Sequence, residues 1–116
     1  MANKERESQE NNIIGQSTYI EGTIKSQGNI RIDGRVRGTI NTEGNFIVGL
    51  TGEIEGHSHA RNITISGKYN GNIEATEKLI LENNSNVSGD INTRRLVIDD
   101  GAIFNGNCSM KPSDEV

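Results

Sequence analysis

Between Ile30 and Ile40 the chain reads I-R-I-D-G-R-V-R-G-T-I, with every even position apolar or glycine and every odd position polar. An alternation of period 2 is the mark of a β-strand, so Ile30, Ile32, Val36 and Ile40 point to one side and Arg31, Asp33, Arg35, Arg37 and Thr39 to the other. The same phrase recurs down the chain. Six copies of apolar-x-Gly-x-apolar/small occur: Ile20 to Ile24, Val36 to Ile40, Ile54 to Ser58, Tyr69 to Ile73, Val87 to Ile91 and Phe104 to Cys108. Their glycines are Gly22, Gly38, Gly56, Gly71, Gly89 and Gly106, which span 84 positions in five steps, a period of about 17 residues close to the range of solenoids. From the second copy onward each is preceded by an apolar pair two apart: Ile30/Ile32, Phe46/Val48, Ile63/Ile65, Leu79/Leu81 and Leu96/Ile98.

A unit this short holds neither a helix pair nor a propeller blade. At about 3.3 Å per residue it gives roughly 55 Å of chain, enough for a closed three-sided coil of short strands. Coils stacked about 4.8 Å apart let each strand pair in parallel with its copies above and below. The predicted fold is all-β, a single parallel β-helix of about six coils over residues 13–110. Glycine in each unit suits a corner that needs positive φ or room for an inward backbone. The apolar pair precedes the glycine phrase by six residues in some coils and eight in others, and a difference of two keeps the same face inward. Asn83, Asn84 and Ser85 then read as corner insertions.

Composition fits a narrow stack. Of 116 residues only 31% are hydrophobic and 3% aromatic, with no Trp and 14 Gly, as expected of aliphatic ladders rather than a core of large side chains. One cysteine excludes an internal disulfide, and the start has no apolar signal-peptide core, so the expected compartment is the cytoplasm. A net charge of −4 runs against nucleic-acid binding. Residues 1–12 are polar and read as a disordered tail, and residues 111–116, with the only proline, as a short second tail.

Candidate chemistry is sparse. His57 and His59 share a strand face but lack a third histidine, and a solvated or corner pair is the favoured reading over a zinc set completed by Glu55. Asp99-Asp100-Gly101 reads as a turn rather than a calcium site, and Gly49-Leu50-Thr51-Gly52 lacks the lysine of a phosphate loop. Arg31, Arg35 and Arg37 are placed on one outward face, interrupted by Asp33; they read as a solvated face that discourages edge pairing, with an acidic or lipid partner as the alternative. Cys108 stands where other copies carry Ile24, Ile40, Ser58, Ile73 and Ile91, which marks it as core filler rather than a nucleophile. No catalytic, metal or cofactor site is predicted.

The ends carry the functional expectation. A β-helix shows unpaired backbone and apolar side chains at both ends, and solenoids that stay monomeric cover them with a polar cap. Leu96, Ile98, Ile103, Phe104 and Cys108 lie at one end, and Ile14, Ile20 and Ile24 at the other, with no helix in the sequence to cover either. End-to-end docking of identical chains is therefore expected, with Phe104 as either plug or stacking contact.

The runs G-N-I-R-I-D-G-R-V-R-G-T-I (Gly28 to Ile40), S-G-K-Y-N-G-N-I (Ser66 to Ile73) and R-L-V-I-D-D-G-A-I-F-N-G-N-C-S-M (Arg95 to Met110) resemble those of the bactofilins, over roughly Ile13 to Met110. The resemblance implies a right-handed, three-sided β-helix that polymerises end to end into nonpolar filaments without nucleotide. It also implies a bacterial cytoskeletal role in cell shape, localisation of cell-wall proteins or motility, and places the family's aromatic contact on Phe104. Family members often reach the membrane through an apolar N-terminal segment. Here only Met1 and Ala2 precede Ile13 as apolar residues, and Glu5, Glu7 and Glu10 offset Lys4 and Arg6, so a second bactofilin or a membrane or cell-wall protein is the expected intermediary. The competing classes are a β-helix enzyme, for which six-residue periodicity or a catalytic loop is missing, and a monomeric binding module using the arginine face.

Overall fold

The six repeat glycines sit side by side in one register, Gly22 against Gly38, then Gly56, Gly71, Gly89 and Gly106. This is a computed structural model, and it describes residues 11–110. The strands are β1 (Asn11–Ile14), β2 (Tyr19–Ser26), β3 (Asn29–Ile32), β4 (Arg35–Thr42), β5 (Asn45–Val48), β6 (Glu53–Ile65), β7 (Lys68–Leu81), β8 (Asn86–Ile98) and β9 (Ile103–Met110). Every strand pairing among them is parallel, and no helix occurs among the described residues. The fold is a parallel β-solenoid of about six coils. β1 opens at Asn11, two residues before the expected start, because Asn11 and Asn12 pair with Asn29 and Ile30. The remainder of the N-terminal tail and residues 111–116 lie outside the described residues.

Each coil has three segments. The first side is built from β1, β3, β5 and the C-terminal parts of β6, β7 and β8; the second and third sides are the two halves of the glycine phrase, divided at its glycine. Columns run through the interior as the alternation requires. Ile30, Phe46, Ile63, Leu79 and Leu96 form one, Ile20, Val36, Ile54, Tyr69, Val87 and Phe104 a second, and Ile24, Ile40, Ser58, Ile73, Ile91 and Cys108 a third. In the middle coils these side chains are buried; Ile32, Ile40, Phe46, Ile63, Leu79 and Val87 are at 0% exposure. Burying such a side chain contributes about 1.5–3 kcal/mol, and the stack of them sustains a fold with little else inside.

The corner requirement is met literally. Gly56 has φ +137°, and a Cβ there would lie 1.9 Å from the carbonyl oxygen of Gly38 in the coil before. Only glycine fits both the backbone and the space. The turns between the first and second sides hold two residues (33–34 and 66–67) or four (15–18, 49–52, 82–85 and 99–102). Even lengths preserve the inward face, and Asn83, Asn84 and Ser85 fall in one of these turns as expected. Buried hydroxyls at the remaining corner are satisfied by backbone: Thr42 donates to Gly28 O, and Thr93 to Arg95 O at 3.0 Å.

Candidate assembly interface

The interior columns continue to both ends of the solenoid and stop there with no cover among the described residues. At the C-terminal end Leu81 is fully buried, whereas Ile98, next in the same column, is 47% exposed. Leu96 and Phe104 are half-buried against the core, and Cys108 is exposed. Met110 follows Thr93 in the last interior column and is 53% exposed. Sequence reasoning passed over Met110, although its even spacing from Cys108 places it on the same face. At the N-terminal end Ile14, Ile20 and Ile24 lie over Ile32, Val36 and Ile40 and are half-buried. Among the described residues β9 and the end of β8 have no partner strand on their outer side, nor do β1 and β2. Each end of the described solenoid is therefore a plate of apolar side chains rimmed by unpaired backbone groups.

Ile103 does not belong to that plate. Its column is Tyr19, Arg35, Glu53, Lys68 and Asn86, all outward, so Ile103 points sideways at the end of the second side. The one-residue step from Phe104 decides this.

The three arginines are likewise divided. Arg35 and Arg37 lie on the second side in β4, while Arg31 lies on the first side in β3, before the turn at Asp33 and Gly34. Arg31 is held by its own neighbour, Nε and Nη2 donating to Asp33 at 3.1 and 3.2 Å; the hydrogen bond and the carboxylate's charge push its pKa up. Arg35 lies 3.4 Å from Glu53 and 5.6 Å from the Tyr19 ring centroid, and Arg37 lies between Glu21 at 3.9 Å and Glu55 at 3.7 Å. Acid and base alternate up the column, so the arginines meet carboxylates in their own solenoid.

His57 Nε2 lies 3.9 Å from Glu74, and no cluster of three metal-ligating side chains occurs among the described residues. Asp99 and Gly49 are turn residues: Asp99 O accepts from Ala102 N at 3.1 Å, and Gly49 O from Gly52 N at 2.9 Å. Partial burial pushes the Cys108 thiol up, away from the reactive thiolate. No helix among the described residues is long and apolar enough to cross a membrane.

A regular parallel solenoid with both apolar ends open is the architecture of a subunit that can extend itself. Comparison with known proteins narrows this. The family model "Bactofilin: Polymer-forming cytoskeletal" matches residues 12–109, and the chain belongs to the bactofilin family. It is 37% identical over 100 residues to bactofilin BacO of Myxococcus xanthus, covering 86% of this chain and 79% of BacO. It is 33% identical over 101 residues to BacP of the same organism, covering 87% of this chain but 42% of BacP. Among solved structures it resembles the Thermus thermophilus bactofilin in double helical filaments (TM-score 0.82, 32% identity, 86% of this chain and 99% of that one). It also resembles the crystal structure of an arginine-for-phenylalanine mutant of that bactofilin (TM-score 0.72, 31% identity, 76% and 98%).

Proposed function

We propose that this chain polymerises by stacking its two apolar plates, without nucleotide, into nonpolar filaments that act as a bacterial cytoskeletal scaffold. The observation that carries this is the loss of cover at the ends: columns fully buried in the middle coils emerge into solvent at Ile98, Phe104 and Met110. Covering several such side chains at about 1.5–3 kcal/mol each is of the size needed to offset the cost of association. The Thermus relative's assembly into double helical filaments supports extending filament formation to this chain. Such a polymer would serve cell shape, cell-wall protein localisation or motility from the cytoplasmic face of the membrane. It would reach its targets through a second bactofilin or a membrane or cell-wall protein.

Phe104→Arg tests the reading. The charge lands on the terminal plate, where no further coil lies above it among the described residues, so the variant is expected to stay β-rich by circular dichroism and sediment as small species. Filaments of unchanged length and number would contradict the proposal.

A further inference from the structure

One outward column differs from the others. On the first side Ile13, Arg31, Ile47, Thr64, Ile80 and Val97 follow one another up the solenoid, facing away from the core. Ile13 is 67% and Val97 39% exposed, and Ile47 and Ile80 are half-buried by their own stacking. Ile13, Arg31 and Ile47 help line a shallow depression of about 260 Å³. The outward columns of the second and third sides are instead polar, as in Arg37, Glu55, Asn70 and Ser88, apart from Tyr19 and Ile103 at the two ends of one of them. Alternation alone gives no reason for isoleucine on a solvent face.

We propose that this stripe is the surface on which a second copy of the chain packs laterally, subunit beside subunit with the solenoid axes pointing the same way. The inference rests on the filament reading above and deepens it. Coils about 4.8 Å apart make the stripe roughly 25 Å long, and end-to-end stacking turns it into a continuous rail. A partner that covers a rail must carry the same repeat, which another filament of this chain does.

Charge at the edges selects the orientation. In the last two full coils Lys78 and Arg95 lie on one edge of the stripe and Glu82 and Asp99 on the other. None of the four makes an ion pair among the described residues. A two-fold axis parallel to the solenoid brings Lys78 and Arg95 of one copy opposite Glu82 and Asp99 of the other at the same height. A two-fold perpendicular to it sets like edges together, with the bases opposite the asparagine end of the same column. The area per subunit is a few hundred Å², below the roughly 800 Å² per partner of a stable interface. Lone subunits should therefore not pair; filaments, with many copies in series, should.

Electron microscopy of wild-type filaments and of an Ile47→Glu/Ile80→Glu variant tests this. Both substitutions face outward and leave the core and end plates untouched. Paired strands are expected for the wild type, and single strands of undiminished length for the variant. Lys78→Glu/Arg95→Glu should also separate the strands, and adding Glu82→Lys/Asp99→Lys should restore pairing. Pairing that persists in both the isoleucine and the edge variants overturns the lateral surface. Wild-type strands that are single overturn it while leaving end-to-end stacking intact; wild-type protein that never forms filaments overturns both. Single wild-type strands that float with phosphatidylglycerol vesicles, and lose that in the isoleucine variant, would give the stripe to lipid and overturn the pairing.

Discussion

At Tyr69 and Ser58 two departures from the aliphatic ladder compensate each other. Tyr69 is 2% exposed, and its hydroxyl lies 2.6 Å from Asn72 O and 2.7 Å from Ser58 Oγ. The phenol donates to the carbonyl and accepts from the serine, and the small serine leaves room for the ring. Tyr69→Phe alone should therefore cost about 1–3 kcal/mol by leaving buried groups unpaired, and adding Ser58→Ala should recover part of it, measured by denaturant unfolding. Burial, only partly offset by the Ser58 hydrogen bond, pushes the Tyr69 phenol well above its ordinary value of 10.0. The unfolded chain then loses that proton first, so the contribution is complete below about pH 10 and declines as pH rises toward the folded value. Wild-type stability should fall more steeply than that of Tyr69→Phe above pH 10; parallel curves would refute the assignment. Glycines make a graded series. Gly15→Ala meets open space and should change stability by less than about 0.5 kcal/mol. Gly22→Ala meets no atom but has φ +134°, and should cost about 1–2 kcal/mol. Gly56→Ala adds a clash with backbone at 1.9 Å and should cost more than both, or prevent folding.

At the scale of the strand, much was legible because a solenoid converts sequence period directly into contact. The glycine phrase fixed its own register: all six copies lie side by side, and the apolar pairs stack on one another along the first side. Parity of the turn lengths settled which residues face inward. What period could not reveal is which side of the coil a residue occupies. Arg31 falls two residues before a turn and Arg35 one after it, so equal parity gave a single arginine face that the fold divides. The same blindness hid the Ile47 and Ile80 stripe, whose members are in phase with Arg31 and Thr64 and resemble an interrupted polar face. Tyr69 and Ser58 escaped because their contact joins neighbouring columns from different coils. Edge strands have another consequence. In dispersed subunits β1 and β9 should exchange amide hydrogens faster than β6 and β7, since one flank of each is unpaired. On assembly β9 should gain protection; unchanged exchange there would place the contact elsewhere.

For the whole molecule the question is which plates meet. The sole cysteine is a built-in reporter, exposed on the C-terminal plate. If like ends meet, a short bismaleimide should join assembled chains at Cys108 into dimers and no larger species; if opposite ends meet, Cys108 faces the N-terminal plate and no dimer should form. Surface ion pairs such as Arg35 with Glu53 are exposed and screened, so moderate salt should leave end-to-end stacking intact while weakening any lateral pairing that uses the stripe's charged edges. The most direct measurement is the axial spacing of subunits in a helical reconstruction of the filament. Six coils stacked plate to plate predict about 29 Å per subunit, with the roughly 4.8 Å coil spacing carried across each junction. A spacing far from that value, or a junction made between solenoid sides with the plates left bare, would contradict the account.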